Sequence, residues 1–205
     1  MNHFVHLSPQ LSPIQAKTTI QPVGRWSRKL LWAVLLCTMV GMGTPARVNA
    51  DSCTNLVIDA GLEDGSGWLT KSSNNFPILS NYLTHTGKQA AYLAGTNGAN
   101  DLLSTTVKLP TTPTSITVTF WWQIQSQESG KYQDTLTIAL VDAQGKLLQT
   151  LGTLSSRDMS NQWQQSTINI TNFAGQTVQL QFTAYTDAAA ATDFFVDDVA
   201  IVVCS

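Results

Sequence analysis

The last apolar stretch of this 205-residue chain reads Thr192-Asp193-Phe194-Phe195-Val196-Asp197-Asp198-Val199-Ala200-Ile201-Val202-Val203. β-Branched and aromatic residues dominate it, and such residues favour strands that pack against other surfaces. We therefore expect a core strand of a sheet here and not a loose C-terminal tail. Burying its adjacent carboxylates, Asp197 and Asp198, is costly unless a cation or dense hydrogen bonding compensates. We expect this acidic pair at the solvent edge of the strand or on a metal ion.

Upstream of this strand, as far back as Ala50, the sequence shows alternating strand patterns and hardly any helical period. Turn signals separate the strands, and the residues Asp142-Ala143-Gln144-Gly145 are typical of a hairpin loop. The pattern indicates an all-β fold, an antiparallel β-sandwich of the jelly-roll type. We expect about nine strands, over residues 55–59, 88–93, 101–109, 116–125, 135–141, 146–151, 163–170, 176–186 and 193–203.

The N-terminal part of the chain has the layout of a secretory signal. Arg25, Arg28 and Lys29 precede the apolar run 30–40, and small residues follow it up to Ala50. The run is too short for a membrane span. We predict a signal peptide with a long N-terminal extension over residues 1–50 and a single β-sandwich domain over residues 51–205. The mature protein is then secreted or on the cell-envelope exterior without a membrane span, and a retained membrane anchor is the alternative.

Removing the signal changes the charge balance of the domain. All thirteen Asp and Glu residues lie after Ala50, but only six of the eleven Lys and Arg residues do, which leaves a formal charge of −7. Nucleic-acid binding needs clustered cations, so this composition excludes a phosphate-backbone partner.

Two of the three cysteines remain after cleavage, because Cys37 lies inside the apolar run. An even number in an exported chain indicates one disulfide, between Cys53 and Cys204. Free buried cysteines are the alternative.

A pairing of Cys53 with Cys204 also sets an antiparallel register in which Asp59 lies opposite Asp198. Like charges that face each other across a ladder are unfavourable without a counterion. Glu63 and Asp197 come from adjoining positions, and hard oxygen ligands of this kind suit Ca²⁺. We predict a structural calcium site formed by Glu63, Asp197, Asp198 and Asp59. The alternative is a solvated acidic rim without a metal.

Period-2 alternation places some aromatic residues on polar faces of strands. Trp121 and Gln123 share a face with threonines in 116–125, and Gln181 and Tyr185 do so in 178–185. A flat ring among amide and hydroxyl groups is what a sugar ligand needs. We predict that Trp121, Tyr185, Gln123 and Gln181 bind carbohydrate. Long loops that cover the face and bury both rings are the alternative. The other tryptophans considered, which we expect in the core, are Trp68, Trp122 and Trp163.

No catalytic motif occurs in residues 51–205, and we predict a non-enzymatic protein. The single histidine of this part, His85, lies in a polar stretch without a nucleophile motif and is expected at the surface. There is no HExxH, CxxC or phosphate-binding glycine loop. A jelly-roll polysaccharide lyase or hydrolase is the weaker alternative and needs Arg157 and His85 in one cleft. Glu128 and Asp134 flank a Gly130 turn, and loop solvation explains them as well as carboxylate-pair hydrolysis does.

The pattern Asn55-Leu-Val-Ile-Asp-Ala-Gly-Leu-Glu63, then Trp68, resembles the opening of galactose-binding-like and MAM-like jelly rolls. Further motifs of this resemblance are Phe120-Trp121-Trp122 and Phe195-Val196-Asp197-Asp198-Val199. The resemblance implies an accessory, anchor-associated, carbohydrate-binding-module-like domain of bacterial exported proteins. In related carbohydrate-binding modules a Glu of the first strand and an Asp of the last hold calcium, which here corresponds to Glu63 and to Asp197 or Asp198.

The function implied is recognition of carbohydrate or another cell-surface ligand. The alternative is a structural or adhesive protein-interaction module without a small ligand. In that case the expected partner is a protein.

Overall fold

A computed structural model describes residues 52–131 and 133–205. The predicted signal sequence lies outside the described residues. Within them the chain forms eleven strands and two short 3₁₀ turns, Ser156–Asp158 and Thr171–Phe173. The strands are β1 (Cys53–Asn55), β2 (Trp68–Ser72), β3 (Leu79–Ser80), β4 (Ala90–Ala94), β5 (Asn100–Lys108), β6 (Ser115–Ser126), β7 (Thr135–Val141), β8 (Leu147–Ser155), β9 (Gln164–Asn169), β10 (Thr177–Tyr185) and β11 (Thr192–Cys204).

The strands form two antiparallel sheets. The first sheet has the order β3-β4-β11-β6-β9, with β1 also paired to β11. The second sheet has the order β2-β5-β10-β7-β8. The predicted β-sandwich is confirmed and is consistent with a jelly roll. Three short strands that were not predicted are β1, β2 and β3; β2 and β3 lie at sheet edges, and β1 pairs with β11. No helix in this described part is long and apolar enough to cross a membrane.

The core lies between the two sheets and follows the predicted alternation. In β10 the side chains of Val178, Leu180, Phe182 and Ala184 are fully buried. In β6 the inward residues Ile116, Val118, Phe120 and Ile124 are buried and Trp122 is partly buried. The Phe120 ring meets Phe182 edge to face with centroids 5.1 Å apart. Such an aromatic pair stabilises a core beyond the burial of its area. This contact joins the central strands of opposite sheets.

The two ends of the chain are joined beside each other. β1 pairs with β11 in the predicted register, Cys53 with Cys204 and Asn55 with Val202, and the two cysteines form a disulfide. The ladder stops at Asn55, because the Asn55 side chain takes the place of the next backbone partner. Its Oδ1 accepts hydrogen bonds from the backbone N–H groups of Ile201 and Val57, each at 3.0 Å. The predicted strand 55–59 is therefore wrong: the strand ends at Asn55, and residues 56–59 form a loop.

The outer faces of the sandwich differ. On the first sheet, Phe195 points away from the core yet is fully buried, because the rings of Tyr92 and Tyr82 stack on it at 5.0 and 6.0 Å. The segment between β3 and β4, which carries Tyr82, thus covers this face. On the second sheet, the outward residues of β10 are partly or largely exposed, and Tyr185 is 51% exposed. On this face Gln179, Gln181, Thr183 and Tyr185 form a row of partly or largely exposed side chains.

Candidate functional site

The acidic pair of β11 lies at a β-bulge. Asp197 pairs with Trp121 of β6 and Ala200 pairs with Thr119, so β11 has one extra residue there. Asp198 takes a positive φ of 47° in the bulge. A bulge turns neighbouring side chains to new directions, and here both carboxylates contact the same two loop residues, His85 and Thr86.

Asp197 is fully buried, contrary to the expectation of a solvent edge. Backbone N–H groups of His85, Thr86 and Asp198 donate to its carboxylate at 2.8, 3.1 and 2.7 Å. Burial raises the pKa of Asp197, and these three donors oppose that shift. Of the two expected ways to compensate a buried carboxylate, a cation or dense hydrogen bonding, the structure shows hydrogen bonding at Asp197. Asp197 therefore anchors the segment before β4 to the last strand.

Asp198 contacts His85, which the sequence placed at the surface. Nδ1 of His85 lies 2.5 Å from Asp198 Oδ2, and the Thr86 hydroxyl donates to Asp198 Oδ1 at 2.7 Å. The His85 ring stacks on Trp121 at 4.0 Å and meets Trp163 edge to face at 5.6 Å. Trp163 is thus part of this outer cluster and not of the core, which corrects the sequence prediction. The sequence indicated only that Trp121 lies on an outward face, and it did not indicate that His85 or Trp163 packs near it.

Asp59 and Glu63 organise loops on the same side of the molecule. The carboxylate of Asp59 accepts hydrogen bonds from the backbone N–H groups of Glu63, Asp64 and Gly65, at 2.7–3.1 Å. Asp59 therefore closes its own turn and does not lie opposite Asp198 in a ladder. The Glu63 carboxylate accepts from the backbone N–H groups of Lys88 and Gln89.

The four predicted calcium ligands do not surround one point. Asp59 and Asp197 direct their oxygens to backbone donors, as described above. Glu63 and Asp198 do converge, because a Cβ built on Gly61 lies 3.9 Å from Glu63 Oε1 and 3.8 Å from Asp198 Oδ1. Both of these oxygens also accept hydrogen bonds, Glu63 Oε1 from the backbone N–H of Lys88 and Asp198 Oδ1 from the Thr86 hydroxyl. Of the four predicted ligands, Glu63 and Asp198 are the two whose oxygens lie beside the same glycine, Gly61.

The predicted carbohydrate ligands fall on two opposite faces. Trp121 and Gln123 lie on β6 in the first sheet, whereas Gln181 and Tyr185 lie on β10 in the second sheet. One platform built from both rings is therefore wrong. Gln123 is 5% exposed beneath the covering segment, and His85 occupies one face of the Trp121 ring. The alternative of loops that cover the face describes the first sheet, but not the second.

The outer face of the second sheet contains a cleft of about 300 Å³ next to Tyr185. Tyr185 pairs with Asn100 of β5, and Thr183 pairs with Leu102, so Tyr185 follows the cleft residues along the outer face of β10. Gln181 and Gln179 continue the row, and their side-chain amides hydrogen-bond to each other at 2.7 Å. The residues that line the cleft are Lys71, Ser73, Asn100, Leu102, Gln181 and Thr183.

Comparisons with known proteins agree with this architecture. A family model for the MAM domain (meprin/A5/mu) matches residues 51–205. TmCBM61, solved in complex with β-1,4-galactotriose, is 16% identical at a TM-score of 0.56, over 72% of this chain and 97% of that one. This likeness shows a shared β-sandwich fold.

Two further solved structures match with lower scores. The K3 cleaved adhesin domain of Lys-gingipain from Porphyromonas gingivalis is 16% identical, with a TM-score of 0.49, over 74% of this chain and 99% of that one. The CBM22-1 xylan-binding domain from Paenibacillus barcinonensis is also 16% identical, with a TM-score of 0.46, over 75% and 96%. No curated protein matches the chain.

Proposed function

The chain belongs to the MAM domain family, and on this premise we propose that it is an exported, non-catalytic module that binds carbohydrate on the outer face of its second sheet. One observation carries the proposal: Tyr185 is 51% exposed and lies next along β10 to Gln181 and Thr183, which line the cleft. An exposed ring is a platform for the apolar face of a sugar.

The neighbouring groups supply the polar half of such a site. The amides of Gln179 and Gln181, the hydroxyl of Thr183 and the ammonium of Lys71 offer donors and acceptors for sugar hydroxyls. Shallow polar clefts with one ring suit an extended oligosaccharide, because successive sugar units lie across the strands and expose their edges to these groups. The assignment leaves out Trp121 and Gln123, since the covering segment restricts access to them.

We further propose a structural calcium ion held by Glu63 and Asp198 on the other side of the molecule. The carboxylates of both residues lie beside Gly61, which supports the proposal. A hard divalent cation there would tie the loop after β1 to the bulge of β11. Carbohydrate binding at Tyr185 does not require this ion.

The test is a glycan array probed with the purified protein in calcium, with β-1,4-galactotriose and xylan oligosaccharides among the probes. We expect binding to weaken at least about tenfold in Tyr185→Ala, because central aromatic anchors carry much of the binding free energy. Phe76→Ala is the matched control, since Phe76 is 58% exposed but lies between β2 and β3, outside the cleft. Equal binding by wild type and Tyr185→Ala would remove this face from the proposal. A blank array favours the protein-interaction alternative.

A further inference from the structure

Three carboxylates outside the predicted sites meet at one end of the sandwich. One oxygen each of Glu128, Asp134 and Asp187 lies within 4.8 Å of the others. In the described residues this is the one group of three potential ligand residues that come so close. Glu128 and Asp134 lie in one loop, but Asp187 is fifty-three positions after Asp134 and follows another strand.

The group is largely enclosed. Glu128 is 7% exposed and Asp134 is fully buried, while Asp187 is half-buried on the solvent side. Three negative charges at this separation repel one another strongly when water is excluded, and each loses hydration. Such a group needs compensation by protons, hydrogen bonds or a cation.

Hydrogen bonds compensate only part of the group. The backbone N–H of Asp187 donates to Asp134 Oδ1 at 2.8 Å, and the Ser156 hydroxyl and the Gln133 backbone N–H donate to Glu128. The Ala189 backbone N–H donates to Asp187 Oδ1 at 2.7 Å. Among the residues that the structure describes, Asp134 Oδ2 is buried and has no hydrogen-bond partner. An unsatisfied buried carboxylate oxygen is costly, and in native structures it has a specific explanation. A ligand that supplies positive charge at this oxygen is such an explanation.

We propose that Glu128, Asp134 and Asp187 form a calcium site distinct from the Glu63–Asp198 position. All three are hard oxygen donors, which select Ca²⁺ or Mg²⁺ over softer metals. Oxygens that bind one Ca²⁺ ion at its usual distances lie no more than about 5 Å apart, and this group satisfies that condition. Ca²⁺ tolerates the irregular geometry of loop carboxylates better than Mg²⁺, and water completes its shell from the side of Asp187.

The position in the fold gives the ion a mechanical role. Glu128 follows the end of β6 in the first sheet, whereas Asp134 precedes β7 and Asp187 follows β10 in the second sheet. The ion therefore joins the two sheets at one end of the sandwich. Tyr185 lies two residues before Asp187 and pairs with Thr135, directly after Asp134. Calcium binding here would hold the β6–β7 loop and the residues after β10 together, next to the proposed carbohydrate face.

The experiment measures calcium binding by the purified full chain, after removal of divalent ions with chelator. Titration calorimetry gives the number of bound ions, and thermal unfolding is followed with and without CaCl₂. We expect wild type to bind one ion more than Asp134→Asn and Asp187→Asn. At about a hundredfold excess over Kd, this ion raises Tm by about 5–10 °C. In chelator, Asp134→Asn unfolds at the same temperature as wild type or higher, because it removes a buried charge.

Two controls locate the ion. Glu63→Gln leaves this site intact, so any ion lost in that variant belongs to the other position. Asp158→Asn removes an exposed carboxylate in the nearby 3₁₀ turn and is expected to bind calcium as wild type does. If Asp134→Asn fails to fold, the test relies on Asp187→Asn, because the Asp187 side chain is only half-buried. Equal stoichiometry and equal thermal response in wild type and Asp187→Asn would overturn the proposal, as would a wild type that binds no calcium.

Discussion

The disulfide between Cys53 and Cys204 joins the first and last strands across a sequence separation of 151 residues. We expect the double variant Cys53→Ser/Cys204→Ser to lose about 5 kcal/mol of unfolding free energy. The reason is that the cross-link removes loop-closure entropy from the unfolded chain, and a loop of this length gives about that value. The bridge acts mainly on the unfolded state, so the folded structure of the variant should be close to that of wild type.

Contacts behind the bridge support this reasoning. The backbone N–H of Leu56 donates to the Ile201 carbonyl at 2.9 Å, and Asn55 Oδ1 accepts from the backbone N–H of Ile201 at 3.0 Å. Ser52 and Ser205 also pair through their backbone groups on the other side of the bridge. The chain ends therefore stay together in the folded variant, and the free-energy difference arises from the greater freedom of the unfolded chain.

The assay is guanidinium unfolding at neutral pH, followed by tryptophan fluorescence, for oxidised wild type and for the double variant. Wild type kept in reductant serves as the control and should unfold with the variant. A loss below about 1 kcal/mol, with an unchanged dependence on denaturant, contradicts the entropic reasoning and means that the unfolded ends already lie close together.

Two further predictions concern Gly87 in the covering segment and Asp193, a half-buried acid of β11. Gly87→Ala should lower the unfolding free energy by about 2–4 kcal/mol, because Gly87 has φ of 62° and a Cβ there overlaps the Glu63 carboxylate. Gly98→Ala is its control in urea unfolding, since Gly98 shares the positive φ but has open space around it; an equal loss in both variants contradicts the contact with Glu63. Asp193→Asn should become increasingly stable relative to wild type as pH rises from 3 to 7. Burial raises the pKa of Asp193 in the folded state, so its stabilising contribution is present at low pH and is lost as pH rises through that folded pKa. Asn can still accept the hydrogen bond from the Tyr92 hydroxyl, and a difference in unfolding free energy that does not change with pH would count against this reading.

Much of the architecture could be predicted from local sequence. The alternation in 116–125 and 176–186 identified the core residues of β6 and β10, because side chains in a strand alternate between faces. The pairing of Cys53 with Cys204 set the register of β1 on β11 correctly. This register failed beyond Asn55, because the Asn55 side chain and the bulge at Asp198 end the regular ladder.

The candidate sites depended on information that periodicity does not contain. Alternation shows that Trp121 and Tyr185 both point outward, but not that their strands belong to opposite sheets. It also does not show that His85 packs on Trp121, since that contact joins a loop to a strand. The carbohydrate face assigned to Tyr185 therefore follows from the sheet order and from the position of the covering segment, which lies on the first sheet.

The sequence by itself determined the fold class, the inward residues of the central strands and the joining of the chain ends. These features depend on neighbours along one strand or on a single covalent pair. Only the tertiary structure decided which acids meet. Asp197 is satisfied by backbone N–H groups from a distant loop, whereas Glu128, Asp134 and Asp187 converge from three strand ends. The electrostatic environment of these acids depends on burial and on contacts between residues far apart in the sequence. The pattern of residues along one strand therefore does not predict it.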